Sequence, residues 1–342
     1  MDRLISTFPI VTGATDDTGH YVGAEAKLYQ VQPEKIGLLK GHKVGEIYIV
    51  DSPAGREIAS HPSLVGNELW GKSLKAASAF TCALNSLDLN DENTAILHIL
   101  RGAVGYMVHE ALPESPVLSV RTEYGLDGYR DHPDDSRNLT VTYRDYAGIP
   151  KTSTLIIPDT FATGRSAEVA LKDLMKSGVT PERVIIYGFV AVPSILRLSS
   201  ICRENDIDLF TFAISDVTPL AYNNYDMPLY GLDESLYTAK GKVKLLGAVV
   251  DAETLENLSP FYIAGMDQPG DWSERHSSLY NGRRNEEGDM LGHLRKSLDL
   301  IEKLQDLNSL QGWYNENHRE IALREIQRLR NKIMEYQRTT IL

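Results

Sequence analysis

Between residues 155 and 167 the chain reads LIIPDTFATGRSA. An apolar run stops at Pro158, Asp159 follows, and Thr163, Gly164 and Ser166 come next. A strand that turns into a helix presents unpaired backbone N–H groups. Together with the helix dipole these favour an anion such as phosphate. Gly164 would let the backbone approach the anion, and the two hydroxyls could donate to its oxygens. Asp159, at the carboxyl end of the strand, points toward the crevice where open α/β sheets bind ligands. Placed just before a phosphate cradle, its carboxylate suits the hydroxyls of a ribose, from which it can accept. The same letters also suit an ordinary strand-to-helix turn capped by Thr or Ser.

A second candidate is GNELWGKS at 66–73, which fits the phosphate-loop pattern G-x-x-x-x-G-K-[ST] letter for letter. In a working loop of that kind an apolar strand feeds the first glycine. Here SHPSLV precedes it, a poor strand because of its proline, and Trp70 would crowd a nucleotide. The segment reads as a helix start.

The elements that must hold these residues alternate. TAILHIL (94–100), VLSVRT (117–122), TSTLIIPD, VIIYGFVAV (184–192) and DLFTFAIS (208–215) are apolar runs of strand length. Helical patterns cover 66–86, 104–112, 166–177 and the stretch after Pro193. Continuous apolar strands alternating with helices predict an α/β protein whose parallel sheet is covered on both faces. Residues 1–60 read as an N-terminal extension with strands, 61–265 as the α/β core, and 266–342 as a polar linker plus a C-terminal helical hairpin. The hairpin helices, 289–310 and 317–338, carry Leu291, Leu294, Leu298 and Ile301 on one and Ile326, Leu329 and Ile333 on the other. Such a stripe must be buried on the core or on another subunit.

The 342-residue chain carries a net charge of −12, which opposes broad contact with nucleic acid or an anionic membrane. No apolar run approaches the length of a membrane span, and the start lacks a signal-peptide core. Cys82 and Cys202 are far apart and have no motif partner, so neither a disulfide framework nor a zinc site is expected. A cytoplasmic homo-oligomer acting on small molecules is the expectation, without nucleic acid or membrane partners.

Three ordered stretches resemble type I phosphoribosyltransferases, most of all the uracil phosphoribosyltransferases. LIIPDTFATGRSA resembles their motif for phosphoribosyl pyrophosphate (PRPP), ILRGAVGYMV (99–108) their pyrophosphate-binding segment, and residues 208–237 the strand and hood that close on the base. HPSLVGNEL (61–69) is similar to a stretch near the start of that family. The resemblance covers roughly residues 60–250. It implies a parallel sheet flanked by helices with a hood, and transfer of the phosphoribosyl group of PRPP to a uracil-like base with release of pyrophosphate, as in pyrimidine salvage.

By that resemblance Asp159 would hold the ribose hydroxyls. Ala162, Thr163, Gly164, Arg165 and Ser166 would cradle the 5′-phosphate. Arg101, Gly102 and Ala103 would meet the pyrophosphate, with Arg101 and Asp159 as the catalytic pair. Tyr230, Gly231 and Asp233 would line the base pocket. The arm at 123–138, with Tyr129, Arg130 and Arg137, would cover the reaction. Mg²⁺ would ride on PRPP, with no protein metal cage. Three features depart from the pattern. Pro158 stands where most of the superfamily has the first of two acids, Arg165 replaces the second glycine, and the hood GLDESLY lacks two glycines and one acid of the uracil enzymes. A related protein that binds a nucleotide without chemistry is the competing expectation.

Overall fold

The computed structural model describes residues 20–22, 26–36, 38–125, 137–147, 154–233, 244–246, 252–267 and 270–339. Tyr129, Arg130 and the side chain of Asp233 lie outside the described residues.

Nine strands form one mixed sheet in the order β1-β2-β3-β9-β8-β7-β4-β5-β6. They are β1 (His20–Val22), β2 (Ala26–Gln30), β3 (Glu46–Asp51), β4 (Thr94–Leu100), β5 (Val117–Tyr124), β6 (Leu139–Asp145), β7 (Thr154–Phe161), β8 (Arg183–Ala191) and β9 (Asp208–Thr218). From β3 through β5 every neighbouring pair is parallel, and β1, β2 and β6 run antiparallel at the edges. The sheet crosses the expected boundary at residue 60: β3 pairs with β9, so the first segment contributes strands to the core sheet.

Alternation along the strands builds two cores. Ile156, Ile185, Tyr187 and Phe212 face one side, and Leu155, Ile157, Val184 and Ile186 face the other. The first side is covered by α1 (Pro53–Ser60) and α2 (Gly66–Ser86), the second by α4 (Arg165–Lys176) and α5 (Val192–Glu204). GNELWGKS occupies the opening turns of α2, and Lys72 is ion-paired with Glu57 at 2.5 Å. Residues 104–112 were expected as one helix. They form instead a 3₁₀ turn (Gly102–Tyr106) and the single-turn α3 (Val108–Ala111), separated by Met107 in the left-handed region at φ 59°.

The hood segment leaves β9 and returns as β10 (Gly231–Asp233), antiparallel to β11 (Lys244–Leu246). A short helix α6 (Ala252–Leu258) and a small ladder of β12 (Leu279–Tyr280) with β13 (Asn285–Glu286) precede the hairpin. Its helices are α7 (Met290–Ser309) and α8 (Glu316–Thr339). Leu294, Ile301, Leu304, Ile326 and Leu329 all join the first core. Glu325 is buried, accepts from the Ser63 amide at 3.1 Å, and sits 2.9 Å from His61 Nδ1. Among the described residues no helix is long and apolar enough to cross a membrane.

Candidate functional site

The chain order along the sheet reverses between β4 and β7. After β4 it steps outward to β5, then returns to the other side of β4 for β7, β8 and β9. Loops leaving two such strands diverge and open a crevice at their carboxyl ends. Arg101 follows β4 and Asp159 lies near the end of β7, so this switch point brings the two expected catalytic residues together. A Cβ at Gly102 would lie 3.6 Å from Asp159 Oδ1.

Two adjoining cavities fill the crevice. The central one, about 380 Å³, is walled by Arg101, Gly102, Asp159, Thr160, Asp271 and Glu274 among others. The second, about 320 Å³, shares Asp159, Thr160, Ala162, Ser166 and Tyr225 with it and is closed by Thr163, Gly164, Arg165, Tyr124 and Arg137.

The second cavity gathers a helix start and two guanidinium groups. The ladder of α4 begins with the Glu168 amide on the Gly164 carbonyl, so the amides of its first turn precede the helix's own bonding. Gly164 is left-handed at φ 75°, and a Cβ there would come within 3.0 Å of Ser194 Cα. The sequence requires glycine on both counts. Two guanidinium groups flank Tyr124, with Arg137 at 4.1 Å and Arg165 at 5.5 Å from the ring centre. Arg165 also donates to the Arg137 carbonyl at 2.5 Å. It therefore holds the start of β6 against the loop while keeping its charge at the cavity.

Asp159 is half-buried on the shared wall. Desolvation pushes its pKa up to about 7, against the opposing pull of a hydrogen bond from the Thr160 amide. β7 can press this closely on β8 because Gly188 pairs with Asp159; a Cβ at Gly188 would overlap the Asp159 carbonyl oxygen. Pro158 is buried within the same strand, which leaves Asp159 as the one acid of the pair Pro158–Asp159.

The structure places the remaining expected residues as follows. Arg101 is bonded to Glu274 and lies 3.7 Å from Glu286. Ala103 is buried beneath the loop rather than on the cavity wall. Tyr230 and Gly231 are not brought to either cavity. Tyr230 is buried, with its hydroxyl on the Tyr262 carbonyl at 3.1 Å, and Gly231 packs against Ala264 and Gly265. Both help seat the C-terminal part of the chain on the core.

No protein-family model and no curated protein matches the chain. Solved structures do. The chain is similar to the AQ2163 protein from Aquifex aeolicus at 17% identity, covering 52% of this chain and 91% of that one with a TM-score of 0.38. It is similar to an adenine phosphoribosyl transferase from Trypanosoma brucei, solved with AMP, pyrophosphate and ribose-5-phosphate, at 12% identity, 49% and 82% coverage and a TM-score of 0.35. A purine phosphoribosyltransferase from Pyrococcus horikoshii matches at 14% identity, 42% and 83% coverage and a TM-score of 0.29.

Several site residues escaped the sequence reading. Trp272 donates from Nε1 to the Gly102 carbonyl at 3.0 Å and lies 4.6 Å from the Tyr106 ring. The Tyr106 hydroxyl is in turn 2.5 Å from Thr160 Oγ1. This chain of contacts locks the Arg101 loop to β7. Trp272 had a signal: it is a large apolar residue in an otherwise polar, turn-rich segment. Among the described residues no cluster of three His, Cys, Asp or Glu could hold a metal by itself.

Proposed function

We propose that the crevice binds a phosphorylated ribose bearing a pyrophosphate, PRPP, and transfers its phosphoribosyl group to a nucleobase or base-like acceptor. The observation that carries this reading is Asp159 on the wall shared by two cavities at the switch point between β4 and β7. One cavity is ringed by the first turn of α4 with Arg137 and Arg165, the other by Arg101 and Gly102. A phosphate would sit on the α4 amides, the ribose hydroxyls on Asp159, and the leaving pyrophosphate beside Arg101.

Displacement at ribose C1 breaks the bond to pyrophosphate and forms one to a ring nitrogen of the acceptor. The residues here position the partners and offset the negative charge of the leaving group. Mg²⁺ prefers oxygen ligands and keeps much of its water, so it would travel on PRPP, with Asp159 and Asp271 as the protein oxygens facing it. Bound in that way, it would neutralise charge on the departing pyrophosphate.

A second reading, ligand binding without chemistry, is favoured by Pro158 in place of an acid and by the carboxylate of Glu274 already bonded to Arg101. One experiment separates them. PRPP and Mg²⁺ are incubated with the protein and a panel of bases, and pyrophosphate release is followed. Base-dependent release that Asp159→Asn abolishes supports transfer. PRPP-induced thermal stabilisation without release across the panel supports the binding reading, and no response to PRPP at all removes both.

A further inference from the structure

Next to the central cavity lies a third cavity of about 240 Å³. It shares Tyr225, Asp267, Gly270 and Asp271 with the central one, and Tyr225 borders all three. The third cavity therefore adjoins the central one, and Tyr225 is its one wall residue in common with the cavity at the start of α4. Its walls come from the end of α1, the segment after β9, and α7 of the C-terminal hairpin.

Ile58, Ala59, Met266 and Leu300 supply apolar surface for a flat ring. The cavity's acidic groups outnumber its cations, three to two. Asp226, Asp267 and Asp271 bring three carboxylates, each with one oxygen already accepting, from Asn223 at 2.7 Å, the Met227 amide at 2.7 Å and Lys296 at 3.1 Å. His293 is buried, and burial pushes its pKa down to about 4, so the ring is neutral near pH 7. Its Nε2 lies 2.9 Å from the Pro62 carbonyl, which only accepts; the proton is thus on Nε2, and Nδ1 is left as an acceptor. Both cations that line the cavity, Arg275 and Lys296, are engaged by acceptors, Lys296 by one of these three carboxylates. Arg275 donates to the backbone carbonyls of Ile58, His61 and Leu64, and the exposed Lys296 is held by Asp271 at 3.1 Å.

We infer that this third cavity is the acceptor pocket and that it selects an amino-substituted heteroaromatic ring over rings bearing a carboxylate. The assignment rests on the transferase reading for its place in the reaction, and it moves the acceptor from Tyr230 and Gly231 to residues of the C-terminal hairpin. Ring N–H and amino groups meet acceptors here, whereas a carboxylate would face three others. Uracil, with two ring carbonyls, fits this lining less well than cytosine or adenine.

The test titrates adenine, cytosine, uracil, nicotinate and orotate into the full chain by calorimetry, with and without PRPP and Mg²⁺. Adenine and cytosine should bind at least about tenfold more tightly than the two carboxylates, a difference of about 1.4 kcal/mol. Ser297→Trp, which fills the pocket from α7, should weaken the favoured ring by about tenfold or more and leave PRPP affinity within about twofold. Asp271→Asn, which changes charge without volume, should narrow the preference and stands in if the Trp variant does not fold. Nicotinate or orotate binding as tightly as adenine overturns the assignment, as does absence of ring binding under both conditions or ring affinity that neither variant changes. PRPP binding without ring binding sinks this pocket alone. Ring binding without PRPP binding sinks the transferase reading and leaves the pocket standing.

Discussion

Arg101 and Glu274, 173 positions apart in the chain, are hydrogen-bonded on the wall of the central cavity. The second Glu274 oxygen accepts from the Asp289 amide at 2.7 Å, so the carboxylate is fixed at both ends. An arriving pyrophosphate must share Arg101 with it or displace it. Glu274→Gln keeps the shape and removes the competing charge. Partly exposed ion pairs are worth roughly 0.2–1 kcal/mol, so pyrophosphate should bind about 1.4- to fivefold more tightly to this variant. Calorimetry with pyrophosphate decides it, and weaker binding would mean that Glu274 orients Arg101 rather than competing for it.

Asp159 carries a pH prediction. Its pKa in the folded chain is raised to about 7, while an unfolded aspartate ionises near 4. Between those values the folded state holds a proton that the unfolded state has lost, so this group's contribution to stability falls as pH rises toward 7 and stays low above it. Asp159→Asn removes the ionisation. Its melting temperature relative to the natural chain should therefore be higher at pH 8 than at pH 5. Affinity for ribose 5-phosphate should drop by about tenfold, the loss expected for a hydrogen bond to a charged group. A melting difference that does not vary with pH would contradict the raised pKa.

The sheet was legible because its strands are apolar runs of the right length, and a parallel strand covered on both faces cannot hide that pattern. The strand-to-helix turn at Gly164 was legible because Gly164 and its hydroxyl neighbours are local chemistry. What the letters could not carry is which distant segments close over that loop. Trp272 on Gly102, Glu274 on Arg101 and α7 beside the third cavity are contacts set by how the linker and hairpin pack. The expected base residues illustrate the same limit: Tyr230 and Gly231 were placed by sequence order in the hood, but they pack against Tyr262, Ala264 and Gly265 instead of lining either cavity.

Arg165 occupies a position where a glycine was the expected letter, and the structure gives it two tasks. Its guanidinium lines the anion cavity and also ties the loop to the Arg137 carbonyl. Arg165→Ala should weaken ribose 5-phosphate binding by about tenfold, again the scale of one charge-assisted bond. Arg165→Lys should recover part of this, since the charge returns without the planar fork. Equal affinity in all three proteins would place the phosphate elsewhere.

Glu325 is a buried polar anchor of the hairpin on the core. Burial alone would raise its pKa, but the hydrogen bond and charge of His61 and the donors of Ser63 together keep it below the ordinary value. Arg328 adds a contact at 3.2 Å, and the buried Arg275 is close enough to feel the same charge. A depressed carboxyl pKa contributes stability that is present above the unfolded value and lost as pH falls through the folded one. Glu325→Ala leaves those donors facing an emptied buried site and should cost about 3 kcal/mol, read as a fall in denaturant midpoint at pH 7. Glu325→Gln, which keeps an acceptor, should cost less. The gap between natural chain and Ala variant should shrink in acid, where the natural carboxyl is protonated. If α7 forms the acceptor pocket, the Ala variant at pH 7 should also lose acceptor affinity while PRPP binding persists, because α4 packs on the opposite core.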